Sequence, residues 1–157
     1  MDQLVQQTYG NHLRVRACGV CVENNQVLLI NHSGLVEGDF WSLPGGGVEF
    51  GETIQDCLKR EFFEETELVI EVCDFLFACE FIHRPLHAIE LYFGVKRIAG
   101  TLAIGNDPEF GKRQIIKQVT FMGRSEMDRI GEDHLHGILS KTEKVDQIMG
   151  LRGYFKL

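Results

Sequence analysis

The pattern of apolar and polar residues divides the chain into β-type segments around one long helical segment. Apolar runs bounded by turn-forming residues predict strands at 13–22, 26–31, 41–43, 68–82, 88–98 and 115–122. A turn is predicted at 23–25, and loops at 32–40, 45–47 and 99–111. Residues 125–128 resemble a capping box that opens a short helix, residues 141–149 are predicted to be helical, and the tail at 154–155 is expected to pack back. This order favours a mixed sheet with helices on both faces, in a single domain over residues 1–157.

The long helical segment, from Thr53 to Thr66, contains neither glycine nor proline. Each helical residue advances by about 100°, so Glu61 and Glu65 fall on the same side of the helix as the apolar Leu58. Glu64 lies one step further round. The last turn of the helix therefore points carboxylates toward the side that its first turns bury, whereas a solvated face would point them away.

These carboxylates predict metal chemistry. Buried like charges are costly unless a divalent cation neutralises them, and hard cations such as Mg²⁺ prefer oxygen ligands while keeping room for substrate phosphates. The alternative interpretation is a salt-bridged helix end, since Arg60 lies four residues before Glu64.

The segment from Gly46 to Leu68 resembles the signature of the Nudix hydrolases. That signature reads Gly, five residues, Glu, seven residues, then Arg-Glu-apolar-any-Glu-Glu-any-Gly-apolar. The matching residues are Gly46, Glu52, Arg60, Glu61, Phe62, Glu64, Glu65 and Leu68. The one departure is Glu67, which replaces a glycine suited to a left-handed helix end. We expect it to affect the local geometry more than the chemistry, with its side chain facing water.

The resemblance implies a Nudix fold, which is a mixed α/β structure with a mixed β-sheet in an α/β/α sandwich. It also implies a hydrolase that cleaves the diphosphate linkage of a nucleoside diphosphate joined to another moiety. The favoured substrates are of the ADP-ribose or nucleotide-sugar type. The alternatives are a house-cleaning nucleoside triphosphate pyrophosphohydrolase of the MutT type and a non-catalytic Nudix-fold nucleotide sensor.

The resemblance further implies divalent metal, Mg²⁺ with Mn²⁺ as an alternative, held by Glu61, Glu64, Glu65 and the carbonyl group of Gly46. Arg60 would orient the carboxylates. Glu52 would stabilise the loop and the start of the helix.

For the general base and for the substrate-binding residues, the sequence leaves more than one candidate. The base is either one of the signature glutamates or Glu109 in the loop at 99–111, and the alternative interpretation of Glu109 is an ordinary turn residue. Arg14 and Arg16 share one face of the first strand, where they would meet either substrate or solvent. Glu80 and Glu90 lie in predicted strands and either can point into the cleft; Glu80 is taken as the substrate-binding candidate.

Composition and charge limit the classes of binding partner that we expect. The 157 residues are 44% hydrophobic and 25% charged, and the net charge is −7. An acidic chain is not expected to grip a nucleic acid polymer or an anionic membrane by charge alone. Together with the lack of a long apolar run, this predicts a cytoplasmic protein whose partner is a nucleotide-derived small molecule, with a homodimer possible.

Two further motifs contain residue types that can bind metal ions. Cys18 and Cys21 form a Cys-x-x-Cys pair, but residues three apart in a strand point to opposite faces, so core thiols are predicted. His134 and His136 are expected to be two exposed histidines in a polar segment.

Overall fold

The structure is a computed structural model that describes residues 3–33, 38–105 and 115–157. Its helices are α1 (Gln3–Tyr9), α2 (Ile54–Thr66) and α3 (Arg124–Ile130), and its strands are β1 (Leu13–Val20), β2 (Val22–Glu23), β3 (Gln26–Ser33), β4 (Asp39–Ser42), β5 (Gly45–Gly47), β6 (Val69–His83), β7 (Leu86–Ala99), β8 (Ile116–Met122) and β9 (Gly153–Lys156). Short 3-10 helices cover Glu132–His134, Gly137–Lys141 and Val145–Gly150. No helix in the described part of the chain is long and apolar enough to cross a membrane.

The strands form two sheets. One is mixed, with the order β5-β1-β7-β6-β9, in which β1 runs parallel to β7 and β6 parallel to β9. The other joins β2, β3, β4 and β8 in antiparallel pairs. The predicted mixed sheet is therefore confirmed, and so is the packing of the tail, which adds β9 to the edge of β6.

Helical segments cover both sides of the strands. The inner face of α2 packs against one hydrophobic cluster, which includes Ala17 and Cys21. Helix α3 and the 3-10 helices Gly137–Lys141 and Val145–Gly150 pack into another, which includes Cys18 and Phe77. The two cysteines thus enter different clusters as unpaired thiols, as strand alternation predicts.

Helix α2 has defined ends. The Thr53 hydroxyl caps its start by accepting from the Asp56 amide at 3.1 Å. At its other end, Glu67 takes the left-handed conformation, with φ 58° and ψ 14°, and its side chain is exposed. The glycine of the signature is therefore replaced without a change in the way the chain leaves the helix.

Residues 45–47 were predicted to form a loop, and this was wrong, because they form strand β5 against β1. A Cβ atom on Gly45 would lie 2.1 Å from the Ala17 carbonyl oxygen. Only a residue without a side chain can approach the neighbouring strand so closely, and local sequence signals do not report such a contact.

The C-terminal helical predictions also need correction. Helix α3 begins after Gly123, whose amide donates to the Glu126 carboxylate at 2.8 Å, and not at a capping box over residues 125–128. Residues 141–149 do not form one helix, because Thr142 and Lys144 have extended backbones that separate two 3-10 helices.

We expect Glu67→Gly to increase the free energy of unfolding by about 0.5–1 kcal/mol. The substitution relieves a left-handed conformation that costs about 1–2 kcal/mol, and it adds about 0.5–1 kcal/mol of backbone entropy loss. Urea denaturation would measure the change, and a lower stability of the variant would contradict the prediction. Gly100→Ala is the matched opposite case, since its Cβ would lie 2.3 Å from the Glu67 carbonyl oxygen and must destabilise the fold.

Candidate active site

A cleft with about 810 Å³ of empty space, part of it open to solvent, lies where β1, β5 and α2 meet. Its lining includes the carboxylates of Glu61 and Glu65, the guanidinium groups of Arg14 and Arg16, and a set of rings. The ring side chains are Tyr9, His32, Phe40, Phe81, His83, His87 and His136. The cleft therefore combines acidic, basic and aromatic surfaces.

The acidic part of the cleft comes from the inner face of α2. Glu61 and Glu65 are only 6% and 3% exposed, which confirms that the last turn of the helix turns its carboxylates inward. The amide of Gly45 donates to Glu65 Oε2 at 2.8 Å, and His32 Nε2 lies 3.6 Å from Glu65 Oε1. Strand β5 and helix α2 are thus joined through this carboxylate.

Gly46 lies directly against the other carboxylate. A Cβ atom at this position would lie 2.2–2.3 Å from the carboxylate atoms of Glu61. The glycine of the signature is therefore required sterically, because any side chain would displace Glu61.

Arg60 orients the acidic groups around the start and the end of the helix. Its guanidinium group donates to both carboxylate oxygens of Glu52 at 2.9 Å, to Glu61 Oε1 at 2.8 Å and to Glu64 Oε2 at 3.1 Å. The hydrogen bonds to Glu52, followed by those to Glu61, raise the pKa of Arg60 above its usual range despite partial burial. The predicted helix-end salt bridge is therefore present together with the inward-facing carboxylates.

The donor set suits a hard divalent cation. The acidic groups supply only oxygen atoms, and Glu61 and Glu65 face a cleft that water and phosphate can enter. Within residues 3–33, 38–105 and 115–157, no three His, Cys, Asp or Glu side chains converge as a ready-made cage. Mg²⁺ does not require one, because it is usually held by one or two carboxylates together with water and substrate phosphates.

A buried carboxylate, Glu90, organises a second group of charges in the cleft. Arg16 Nη1 donates to its Oε1 at 2.7 Å, and the Tyr92 hydroxyl donates to its Oε2 at 2.9 Å. His136 Nε2 lies 2.9 Å from the same Oε2. Burial opposes ionisation, but His136, Arg16 and Tyr92 outweigh it and lower the pKa of Glu90 to about 2.

The two arginines of β1 both line the cleft. The Arg14 guanidinium lies 3.6 Å from the centre of the Tyr9 ring, and the side chain of Arg16 is 19% exposed. The first half of the strand is inverted, since its apolar residues Leu13 and Val15 are 57% and 44% exposed. This arrangement favours the functional interpretation of the arginines over a solvent-facing pair.

Glu80 lies outside this cleft, contrary to its selection as a substrate-binding candidate. It pairs across the sheet with Ile89, so it points to the face opposite Glu90, and it bonds His87 and Tyr154. The face to which Glu80 points depends on how β6 is aligned with β7 in the sheet. The sequence alone does not specify this alignment. Glu109 lies outside the described residues.

The prediction of two exposed histidines was wrong for His136, which is 2% exposed. The Ile138 amide donates to its Nδ1 at 3.4 Å, and its Nε2 lies 2.9 Å from Glu90 Oε2. Sequence reasoning also missed His32. For His136, the available signal was Glu90 between the apolar Ile89 and Leu91, since a buried charge requires a cationic partner elsewhere.

Comparison with known proteins defines the family. Residues 10–136 match the profile described as the NUDIX domain. The chain is 30% identical over 125 residues to an ADP-ribose pyrophosphatase of Methanocaldococcus jannaschii, a match that covers 78% of this chain and 69% of the relative. It is also 36% identical over 64 residues to an 8-oxo-dGTP diphosphatase of Buchnera aphidicola, with 41% and 51% covered. The chain belongs to the Nudix hydrolase family, whose members act on pyrophosphate bonds.

Solved structures show the same fold. A Nudix hydrolase from Nitrosomonas europaea superimposes with a TM-score of 0.68 at 18% identity, covering 92% of this chain and 78% of that one. A UDP-X diphosphatase superimposes with a TM-score of 0.64 at 21% identity, covering 93% and 68%. The mixed α/β Nudix fold predicted from the sequence is thereby confirmed.

We expect Gly46→Ala to reduce hydrolysis by about 10- to 100-fold, the range typical of a disturbed metal-site environment. The added methyl group would displace the Glu61 carboxylate from the cleft wall. Gly150→Ala is the matched control, because a Cβ at Gly150 meets nothing within 4 Å. Steady-state turnover of the two variants would test this, and equal activities would contradict it.

Because of Glu90, the stability of the fold is expected to decrease at acidic pH. Its pKa is lowered from 4.5 to about 2, so its stabilising contribution is complete above about pH 4.5 and is lost as the pH falls toward 2. NMR titration of its carboxyl carbon would measure this pKa. Tyr92→Phe, which removes the phenol donor, should raise the pKa. A midpoint near 4.5 in the unaltered protein would contradict the assignment.

Proposed function

We propose that this chain hydrolyses the diphosphate linkage of a nucleoside diphosphate joined to another moiety, with Mg²⁺ as the cofactor and Mn²⁺ as a substitute. The observation that carries the proposal is the cleft itself, in which the inward carboxylates of Glu61 and Glu65 adjoin arginines and aromatic rings. A diphosphate needs cations near its oxygen atoms, and a nucleoside offers a base that can stack.

The metal ligands in this proposal are Glu61, Glu64, Glu65 and the carbonyl oxygen of Gly46. When bound, the cation would neutralise phosphate charge and lower the pKa of a bound water molecule. Arg60 would keep the carboxylates in position through its hydrogen bonds to Glu61 and Glu64. Glu64 is less buried than its neighbours, with 26% of its side chain exposed, which suits a group that meets water.

Substrate binding is assigned to the two arginines of β1 and to the rings near them. Arg16 lines the cleft and 19% of its side chain is exposed, which suits a cationic group that meets a substrate oxygen. Phe81 stacks on His136 with ring centres 5.4 Å apart and offers a surface for a base. Glu109 remains the proposed general base beside the signature glutamates.

The preferred substrate type is ADP-ribose or a nucleotide sugar. Its support is the ADP-ribose pyrophosphatase relative, which matches this chain over more than two thirds of its own length. The second candidate is a nucleoside triphosphate, supported by the shorter match to an 8-oxo-dGTP diphosphatase. We also propose that residues 1–157 act as one domain and that the enzyme forms a homodimer, the commonest symmetric assembly.

A hydrolysis screen with Mg²⁺ would test the proposal. It should cover ADP-ribose, nucleotide sugars, dinucleotides, and normal and oxidised nucleoside triphosphates. We expect turnover of the first two classes with two monophosphate products, whereas a triphosphate substrate would release pyrophosphate. Turnover of no class by folded, metal-bound protein would favour the nucleotide sensor.

Glu65→Gln is the matched variant for this screen. The glutamine oxygen can still accept the Gly45 amide, so the fold should persist while the charge is lost. We expect turnover to fall by more than about 100-fold, beyond the loss typical of residues that only support metal ligands. Retained turnover would exclude Glu65 as a metal ligand.

A further inference from the structure

Gly45 connects the two charged groups of the cleft through its own peptide groups. Its N–H donates to Glu65 Oε2 at 2.8 Å, and its carbonyl oxygen accepts from Arg16 Nη2 at 2.6 Å. The next residue, Gly46, lies against Glu61. The position of this single peptide segment therefore affects both inward carboxylates of α2 and the proposed carbonyl ligand.

Gly45 cannot be positioned by a side chain of its own. Its φ is +142°, and a Cβ atom would lie 2.1 Å from the Ala17 carbonyl oxygen. Strand β5 is also short and lies at the edge of its sheet, with β1 as its only neighbour among the described strands. The hydrogen bond from the Arg16 side chain therefore holds the Gly45 carbonyl group in addition to the backbone pairing of β5 with β1.

Arg16 is itself held in place by Glu90. The guanidinium group reaches Glu90 with Nη1 and Gly45 with Nη2, so one planar group spans both partners. Glu90 is fixed in turn by Tyr92 and His136, which are both almost completely buried. The chain of contacts runs from the core of the protein to the carboxylate of Glu65.

We propose that Glu90 and Arg16 are positioning residues for the metal site, which act through the peptide groups of Gly45 on Glu65 and Gly46. This inference rests on the proposed metal-dependent function. It gives Arg16 a second task beside substrate binding and assigns Glu90 a part in the reaction although Glu90 is not a metal ligand. Residues that orient metal ligands typically change metal affinity by about 10- to 100-fold when they are altered.

The test measures Mn²⁺ binding without substrate, by electron paramagnetic resonance of the free ion or by calorimetry, so that substrate contacts play no part. Glu90→Gln should weaken Mn²⁺ binding about tenfold or more. Because this variant also removes a negative charge, Arg16→Lys is measured beside it. Lysine keeps the charge opposite Glu90, but its ammonium group cannot reproduce the planar fork that spans Glu90 and Gly45.

We expect Arg16→Lys to weaken Mn²⁺ binding as well, by about the same factor as Glu90→Gln. Wild-type affinity in Arg16→Lys would overturn the proposal, because charge alone would then explain any effect of Glu90→Gln. If Glu90→Gln does not fold, Arg16→Lys decides by itself, since it preserves the buried ion pair.

Glu23→Gln is the matched control. Glu23 Oε2 also pairs with an arginine, Arg97, at 2.7 Å, but neither residue lines the cleft. Mn²⁺ affinity should be unchanged in this variant, and a loss equal to that of Glu90→Gln would overturn the proposal. Absence of Mn²⁺ binding by the unaltered protein would instead overturn the proposed function.

Discussion

The two inward carboxylates of α2 place the strongest constraint on the surrounding structure. A charged group removed from water needs hydrogen bonds or opposite charges, and Glu61 and Glu65 are almost fully buried. In this fold the Gly45 amide donates a hydrogen bond to Glu65, and the Arg60 guanidinium group donates one to Glu61. The glycine strand must therefore lie close to the helix, and the absence of a side chain at Gly46 follows from that closeness.

The cleft gathers cationic as well as acidic side chains in a chain that is acidic overall. The protein as a whole carries a net charge of −7, yet Arg14, Arg16 and Arg60 are gathered around or behind the cleft. An anion is repelled by the average surface and attracted only where cations are concentrated. The inverted burial of β1, with arginines turned inward and apolar residues outward, places two of these cations in the cleft.

The relatives show that this fold does not decide a substrate. The proteins that match this chain in sequence or in fold include an ADP-ribose pyrophosphatase, an 8-oxo-dGTP diphosphatase and a UDP-X diphosphatase. The signature supplies the acidic helix and Gly46 of the glycine strand, which in the proposed function meet the diphosphate. We infer that discrimination between substrates comes from residues outside the signature. In this chain those that line the cleft include the arginines of β1 and rings from α1, β3, β4, β6, β7 and the C-terminal segment.

The sequence by itself determined most of the strands, the central helix and the direction of its carboxylates, because these depend on local periodicity and on fixed spacing. It also located Gly46, Glu61, Glu64 and Glu65, whose proposed roles rest on the resemblance. Only the tertiary structure decided which strand glutamate faces the cleft, because Glu80 and Glu90 differ only in sheet register. The burial of His136 and the pairing of β5 were likewise invisible, since both depend on partners distant in the chain: Glu90 for the histidine and Ala17 for the glycine strand. Local patterns determine what each segment can form, and long-range packing determines which charged groups meet.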